Sequence, residues 1–346
     1  GTDSAGMYIT EDTAVEVKSV AVTVTDFNSD LSTSVETDAT QSDLTTGTNG
    51  NIVLKTTAGT ITLSDGADDD DNSVVAHGSG NILVTAGGTG SDITINDDVE
   101  STTGHVTLKA ADAITLAAGR NVSTGTSGTI SMDAIAGVLT MLCTEGAGVS
   151  NVTATGSSAA LHAGSDLTIG NVTATNVSLL SDNGAIINAA DSTKNVTATS
   201  LRINADDAIG TSSRHITTDV TNITALSTGT TSAGIYITED DAVTVTSVEV
   251  AVTDFNSDAT TSTETDVSQA DLVTGNNGFI VFSAEAGTIT LNDGTDDDDI
   301  AVSANGSGTI AIDAAGVTSD ILVNSGISNG TGIITLTADN DITFAA

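Results

Sequence analysis

Short runs of alternating apolar and polar residues follow one another along the chain, separated by small or polar residues. The segment Gly104–Thr124 contains three of them, at Val106–Leu108, at Ile114–Leu116 and at Val122. Alternation with a period of two predicts β-strands whose side chains point inward and outward in turn. After Val122 the pattern restarts at Ile130. Three strands per turn of chain, with each turn lying on the previous one, predict a parallel β-solenoid.

The start of each turn, or lap, can be followed through the sequence, with steps of roughly 22 to 30 residues and longer steps where a polar insertion intervenes. We therefore predict an all-β fold, a parallel β-helix with about three strands per lap, forming an elongated rod from which acidic loops protrude. Stacked strands lie about 4.8 Å apart, so a dozen laps would extend ~60 Å. The apolar pairs that mark the laps are Ile52 and Leu54, Ile82 and Val84, Val106 and Leu108, Ile130 and Met132, Val177 and Leu179, Leu201 and Ile203, followed by Ile223.

A much longer repeat is superimposed on the laps. Residues 1–118 align with residues 229–346 without a gap, at a constant offset of 228, and 35 of the first 50 aligned positions are identical. So many identities exclude a chance match. We divide the chain into a first solenoid repeat unit, residues 1–228, and a partial second copy of the same unit, residues 229–346, continuous with the first. Because both ends fall within the pattern, we expect the chain to be part of a longer tandem array.

The charge of the chain excludes some partners. It has 46 acidic and seven basic residues, for a net charge of −39. Such a surface repels nucleic acid phosphates and anionic membranes, so we expect neither as a partner. The sequence also has no apolar run long enough to insert into a membrane. Aromatic residues make up 2% of the chain, which suits a slim aliphatic core better than a globular one.

Two runs of aspartate are the strongest candidates for a binding site, and they occupy equivalent positions in the two copies. Neighbouring carboxylates repel one another unless a cation neutralises them, and Ca²⁺ accepts six to eight oxygen ligands in loose geometry. We therefore predict calcium as a cofactor, with a solvated acidic loop as the alternative. Neither run has the spacing of an EF-hand. The predicted metal ligands are Asp65, Asp68, Asp69, Asp70 and Asp71, and in the second copy Asp293, Asp296, Asp297, Asp298 and Asp299.

A second polar insertion, rich in Ser, Thr and Asp, spans residues 26–50 and recurs at residues 254–278. We interpret it as a loop that leaves the rod. It is either a surface that contacts a ligand or a neighbour, or a mobile decoration. Its acidic residues could also hold cations: Asp26, Asp30, Glu36, Asp38 and Asp43.

Several laps contain short segments with a recognisable pattern: Asp207–Thr211, His215–Val220, Ile223–Leu226, Ala233–Ile237, Asn51–Leu54 and Gly59–Leu63. Together they resemble the laps of a known family, the filamentous-haemagglutinin-type bacterial surface proteins. The resemblance implies that the β-helix is right-handed, that the protein is exported across the bacterial envelope, and that it is extracellular or on the cell surface. It also implies adhesive or filament-forming work. The family's secretion and carbohydrate-binding domains have no counterpart here.

These features together favour a structural or adhesive solenoid, a segment of a long tandem-repeat surface protein or filament, and not an enzyme. The expected partners are copies of itself or neighbouring repeats of the same chain, and cell-surface or matrix carbohydrate. One alternative is a polysaccharide-degrading β-helix enzyme, although such chemistry needs an acid and a base in a cleft, and sugar sites usually contain aromatic residues. The other is an ice-binding solenoid, since Thr-x-Thr pairs such as Thr60 and Thr62 recur. Threonine is also a common outward-facing strand residue, and the laps are irregular.

Overall fold

The computed structural model of the protein describes residues 5–68, 70–189, 194–229, 233–296 and 298–345, and within these ranges it contains strands and turns but no helix. The strands of the first part of the chain are β1 (Met7–Glu11), β2 (Val15–Val17), β3 (Thr23–Phe27), β4 (Thr33–Thr37), β5 (Leu44–Thr46), β6 (Ile52–Thr56), β7 (Ile61–Leu63), β8 (Asn72–Ala76), β9 (Ile82–Ala86), β10 (Ile93–Ile95), β11 (Asp98–Ser101) and β12 (Val106–Ala110). Those of the middle are β13 (Ile114–Leu116), β14 (Asn121–Thr124), β15 (Ile130–Ala134), β16 (Leu139–Met141), β17 (Cys143–Thr144), β18 (Gly148–Val149), β19 (Asn151–Ala163), β20 (Leu167–Ile169), β21 (Asn171–Ser181), β22 (Ile186–Asn188), β23 (Val196–Ala205) and β24 (Ile216–Ser227). Those of the last part are β25 (Ile235–Glu239), β26 (Val243–Val245), β27 (Val248–Phe255), β28 (Thr261–Gln269), β29 (Leu272–Thr274), β30 (Ile280–Ala284), β31 (Ile289–Leu291), β32 (Ile300–Ala304), β33 (Ile310–Ala314), β34 (Ile321–Val323), β35 (Gly326–Asn329), β36 (Ile334–Ala338) and β37 (Ile342–Phe344).

Successive laps stack through parallel pairing. The lap β12–β13–β14, for example, pairs strand by strand with β15, β16 and the first part of β19. Most strands belong to two long parallel sheets, of 24 and seven strands, and among the described strand pairs only β3–β4, β17–β18 and β27–β28 are antiparallel. The predicted all-β parallel β-helix with about three strands per lap is confirmed.

The core is a set of aliphatic columns that run along the stack. Ile82, Val106 and Ile130 are partners in neighbouring laps, and all three are fully buried. Inward-facing residues of the short strands behave in the same way, as at Ile93 and Ile114. Parallel pairing leaves each lap able to satisfy its backbone groups only through the laps above and below it. Burial and hydrogen bonding therefore depend on the same stacking.

The two copies build the same elements in the same order. Strand β6 corresponds to β30, and β5 to β29, each at the constant offset of the sequence repeat. The stack continues across the boundary between the units, because β24 pairs with β25, β26 and β29.

The insertions at residues 26–50 and 254–278, interpreted from the sequence as loops, contribute to two antiparallel hairpins, β3–β4 and β27–β28. The tip of the second is closed by the Asn256 amide, which donates to the Thr260 carbonyl, with Ala259 in the left-handed region at φ 65°. The first hairpin is exposed along both strands, whereas alternate residues of β27 are buried. The second insertion leaves the rod only in part: Phe255 at its start is buried against Val53 and Leu83, whereas β28 is exposed over most of its length.

Candidate metal-binding clusters

Each copy brings four aspartates together at a corner of the coil. In the first copy these are Asp43, Asp65, Asp68 and Asp70, which can each offer one carboxylate oxygen such that all four oxygens lie within 4.8 Å of one another. Asp43 directly precedes β5, while the other three follow β7 in the loop that leads to β8. Since β8 stacks on β5, this corner is where one lap ends and the next begins.

The second copy repeats this arrangement with Asp271, Asp293, Asp296 and Asp298, again with one oxygen from each within 4.8 Å of the others. Asp271 precedes β29, and the remaining three follow β31. The four positions match those of the first cluster at the constant offset of the repeat. Two copies that differ at many other positions thus build the same cluster.

A glycine at each corner permits this close approach. A Cβ added at Gly66 would lie 2.2 Å from the Ser42 Cβ, and one added at Gly294 would lie 2.3 Å from the Ala270 Cβ. Both distances are far inside van der Waals contact, so only glycine lets the loop pass next to the residue before Asp43 or Asp271. The glycine of each Asp-Gly pair is therefore required by packing as well as suited to a turn.

Asp271 is the most enclosed member of either cluster. It is only 2% exposed, and its Oδ1 atom accepts no hydrogen bond from any described residue. Burial raises the pKa of Asp271 to about 7, and the neighbouring carboxylates Asp296, Asp298 and Asp293 contribute in the same direction. A buried carboxylate that faces other carboxylates without a donor or a cation is unfavourable in its ionised form. This position therefore favours a bound positive charge.

The first cluster has the same electrostatic character in a less enclosed setting. Burial raises the pKa of Asp43 to about 6, with Asp68, Asp70 and Asp65 adding to the effect. One oxygen of Asp43 and one of Asp65 are buried without a hydrogen-bond partner among the described residues, as is one of Asp293 in the second copy.

Backbone hydrogen bonds hold the aspartate loops in place. The Asn72 amide donates to Asp70 Oδ1 at 3.0 Å, and the Ile300 amide donates to Asp298 Oδ1 at 2.8 Å. The Asp65 amide donates to Asp97 Oδ2 at 2.7 Å, and the equivalent Asp293 amide donates to Ser325 Oγ at 2.8 Å. Asp97 and Ser325 thus supply a hydrogen-bond acceptor at the same position of the two copies. The serine holds the loop of the second copy without placing another carboxylate beside the cluster.

The structure places the predicted ligands in three groups. Asp65, Asp68 and Asp70 join the first cluster, and Asp293, Asp296 and Asp298 join the second. Asp71 lies outside its cluster, with its Oδ1 2.7 Å from Arg120 Nη1, and Asp299 is not a member of the second. Asp69 and Asp297 lie outside the described residues.

The sequence also contained a signal that the aspartate runs alone did not reveal. Asp43 belongs to the polar insertion, and neither Asp43 nor Asp271 lies in an aspartate run. Each of them precedes the Asp-Gly pair of its own copy by about one lap. Residues one lap apart meet at the same corner of a solenoid.

The composition of both clusters, carboxylate oxygens alone, suits a hard divalent cation. Ca²⁺–oxygen distances of about 2.4 Å put opposite ligands about 5 Å apart, whereas Mg²⁺ at about 2.1 Å needs a tighter octahedron. Four carboxylates can supply up to eight oxygens between them. The two aspartate clusters could therefore bind a metal ion.

The fold and the clusters together define an all-β protein with long parallel sheets, the architecture of a β-solenoid. Comparison with known proteins adds no family, since no family model, curated protein or solved structure matches the chain. The resemblance to filamentous-haemagglutinin-type proteins stays a prediction. The described part of the chain has no helix with the length and apolar character that crossing a membrane requires.

Proposed function

We propose that the chain is a structural segment of an extracellular β-solenoid, a rod or adhesive stalk whose stacked laps are braced by two equivalent calcium ions. The observation that carries the proposal is the buried carboxylate of Asp271. It faces three further carboxylates in a cluster that the chain also builds at the equivalent corner of the first copy.

Calcium would act on the coil at a specific point. The strand β29 begins a lap directly after Asp271, and β31 ends the same lap two residues before Asp293. An ion held by both residues would join the beginning of a lap to its end, at the place where β32 stacks on β29. It would also reduce the mutual repulsion of the four carboxylates, which burial from water makes stronger. Ligand that binds only the folded chain stabilises it by about 2.7 kcal/mol per site at 100 times the dissociation constant.

A calorimetric titration of the metal-free chain with calcium tests the proposal directly. We expect two sites per chain and an increase in the melting temperature. Magnesium alone, at the same concentration, should give a weaker response, because Mg²⁺ dehydrates reluctantly and requires a near-ideal octahedron. Absence of both binding heat and thermal stabilisation would remove calcium from the proposal. It would leave the rod itself untouched.

The rod and its location are tested separately. Negative-stain images should show elongated particles, and separate compact particles would argue against a stalk. Export and surface exposure can be followed with an antibody against the chain on intact cells. Binding to carbohydrate, the partner that an adhesive role implies, can be measured on a panel of cell-surface and matrix glycans.

The two alternative functions stay predictions with their own assays. Turnover of an acidic polysaccharide would support an enzyme, and thermal hysteresis would support ice binding.

A further inference from the structure

The two hairpins have closely similar sequences and opposite surroundings. The inward side of β27 is formed by Val248, Val250, Val252 and Phe255, all at most 4% exposed. The same four residue types occupy the equivalent positions of the first copy, where every one of them is exposed. Phe255 is 1% exposed, but its counterpart Phe27 is 71% exposed. The exposed counterparts are Val20, Val22, Val24 and Phe27.

The inner side of β27 is buried because this strand lies along the stack and crosses the laps of the first unit, whereas β28 stays mostly exposed. Strand β27 contacts β12, β15, β19, β21, β23 and β24. At its far end Phe255 forms a small buried cluster with Val53 and Leu83. Both partners occupy outward-facing positions of their strands, which solvent would reach if the hairpin were absent.

Polar contacts fix the hairpin in one register on this face. The Phe255 amide donates to Thr107 Oγ1 at 2.9 Å, and the Thr253 amide donates to Thr129 Oγ1 at 3.0 Å. Closer to the base of the hairpin, the Gln269 side chain donates to the Ile203 carbonyl at 2.8 Å. These contacts use residues of the hairpin that the first copy also has, since Thr25, Phe27 and Gln41 occupy the equivalent positions.

Charge also matches across this interface. Three of the seven basic residues of the chain, Lys55, Lys109 and Arg202, lie on the face that the hairpin covers. Lys55 and Lys109 line one cavity together with Asp254, and Arg202 Nε donates to the Val267 carbonyl at 3.1 Å.

The exposed first hairpin carries the same acidic residues. Asp26 and Glu36 correspond to Asp254 and Glu264. The laps of the partial second copy do not offer a matching basic face, because Ser283 and Thr337 replace Lys55 and Lys109.

We infer that the β3–β4 hairpin is a docking element, and that its partner is the outward face of residues 53–224 in a further copy of the repeat unit. The hairpin would cover that face as β27–β28 covers it within this chain. This inference rests on the proposed tandem rod but not on calcium, since none of the docking contacts involves the aspartate clusters.

A lengthened chain tests the docking. One more copy of residues 1–228 is fused in front of Gly1, so that Thr228 again precedes a glycine as it does in this chain. The chain has no tryptophan, so a single Phe27→Trp substitution in the inner copy reports on the hairpin alone. In the original chain this tryptophan should be readily quenched by acrylamide. In the lengthened chain we expect quenching to fall about tenfold with a blue-shifted emission, because close packing excludes water.

Two matched variants complete the experiment. The Phe255→Trp variant should be protected from quenching in both chains. In the lengthened chain, Lys55→Glu together with Lys109→Glu in the added copy should restore quenching of the inner Phe27→Trp variant, while the Phe255→Trp variant stays protected.

Two results would overturn the inference. The first is that acrylamide quenches the inner Phe27→Trp variant equally in the short and the lengthened chain, while the Phe255→Trp variant is protected in both. This result would contradict the docking of β3–β4 and leave the proposed rod unaffected. The second is ready quenching of the Phe255→Trp variant in the short chain, because the docked second hairpin is the template for the proposed contact.

Discussion

At the scale of single residues, Asp43 and Asp271 combine three unusual properties. Each has a backbone in the left-handed region, with φ of 60° and 66°, each has one unpartnered buried oxygen, and each has a raised pKa. Aspartate tolerates the left-handed region better than most residues, so the backbone alone does not require a special role. The unpaired buried oxygen is harder to explain without a cation.

Replacing Asp271 by Asn separates repulsion from metal binding. Without calcium at pH 8, we expect Asp271→Asn to stabilise the chain by about 1 kcal/mol, because it removes a buried like charge and adds a donor. With calcium it should be the less stable form, and titration should find one site in place of two. The control is Asp299→Asn, a neighbour outside the cluster, which should change neither result. Equal calcium responses of Asp271→Asn and the unsubstituted chain would count against the site.

His162 gives a separate dependence on pH. Its Nδ1 lies 3.0 Å from Asp133 and its Nε2 lies 2.9 Å from Asp182. The hydrogen bond with Asp133 and the one with Asp182 raise the pKa of His162 to about 9, against a burial effect of opposite sign. A histidine with a raised pKa in the folded state stabilises fully below its unfolded pKa of about 6.5, and this stabilisation is lost as pH rises through about 9.

We therefore expect the metal-free chain to lose about 1 kcal/mol between pH 7 and pH 9.5, with solvent screening keeping the effect modest. The measurement is the midpoint of urea denaturation across this range. His162→Gln should flatten the profile above about pH 8, where Asp43 and Asp271 are already ionised. His77→Gln, at an exposed position, should leave it unchanged. A profile that stays steep in His162→Gln would assign the effect to other groups.

At the scale of elements, the two hairpins show that the contribution of a residue to stability depends on its surroundings. Phe255→Ala should destabilise the chain by about 3 kcal/mol, the usual cost of removing a buried aromatic ring. Phe27→Ala removes the same ring from an exposed position and should cost only a few tenths of a kcal/mol. Urea denaturation of the two variants provides the comparison, and hydrogen exchange of β27 shows whether the loss is local. Similar losses in both variants would mean that β27–β28 is not docked.

Most strands could be predicted from the sequence, whereas the two hairpins and the place of Asp271 in its cluster could not. Alternation at Val106–Leu108 and Ile114–Leu116 identified strands that the structure confirms as β12 and β13, because period-two burial is a local property. The hairpins were missed because their polar composition suggests a loop, although Val248, Val250 and Val252 also alternate. The aspartate runs were found, but Asp271 joins them only through closure of a lap, which is a property of the fold and not of any local segment.

At the scale of the whole molecule, the net charge of −39 acts against the compact stack. Like charges distributed along a coil repel one another over about 10 Å at 0.1 M salt and over about 30 Å at 0.01 M. Parallel stacking holds the charged loops of successive laps at the spacing of neighbouring strands. The free energy of folding therefore contains an unfavourable electrostatic contribution whose size depends on the salt concentration.

We expect the melting temperature of the chain in chelator to rise steadily as sodium chloride increases from about 0.01 to about 0.5 M. Screening weakens repulsion without specific binding, so potassium chloride should give the same curve. In calcium the slope should be shallower, because each bound Ca²⁺ would offset two of the four negative charges of its cluster. A melting temperature that is independent of salt would show that repulsion among the charged residues does not measurably destabilise the stack.

The position of β27–β28 on the laps of the preceding unit has a consequence for synthesis. In a chain that emerges with its N-terminus first, residues 53–224 appear before the hairpin that covers them, so this face stays open until the next unit has begun to emerge. Each unit of such a chain would be completed by its successor. Folding of the coil would then proceed from the N-terminal unit onward. Only the unit that emerged last would keep an uncovered face.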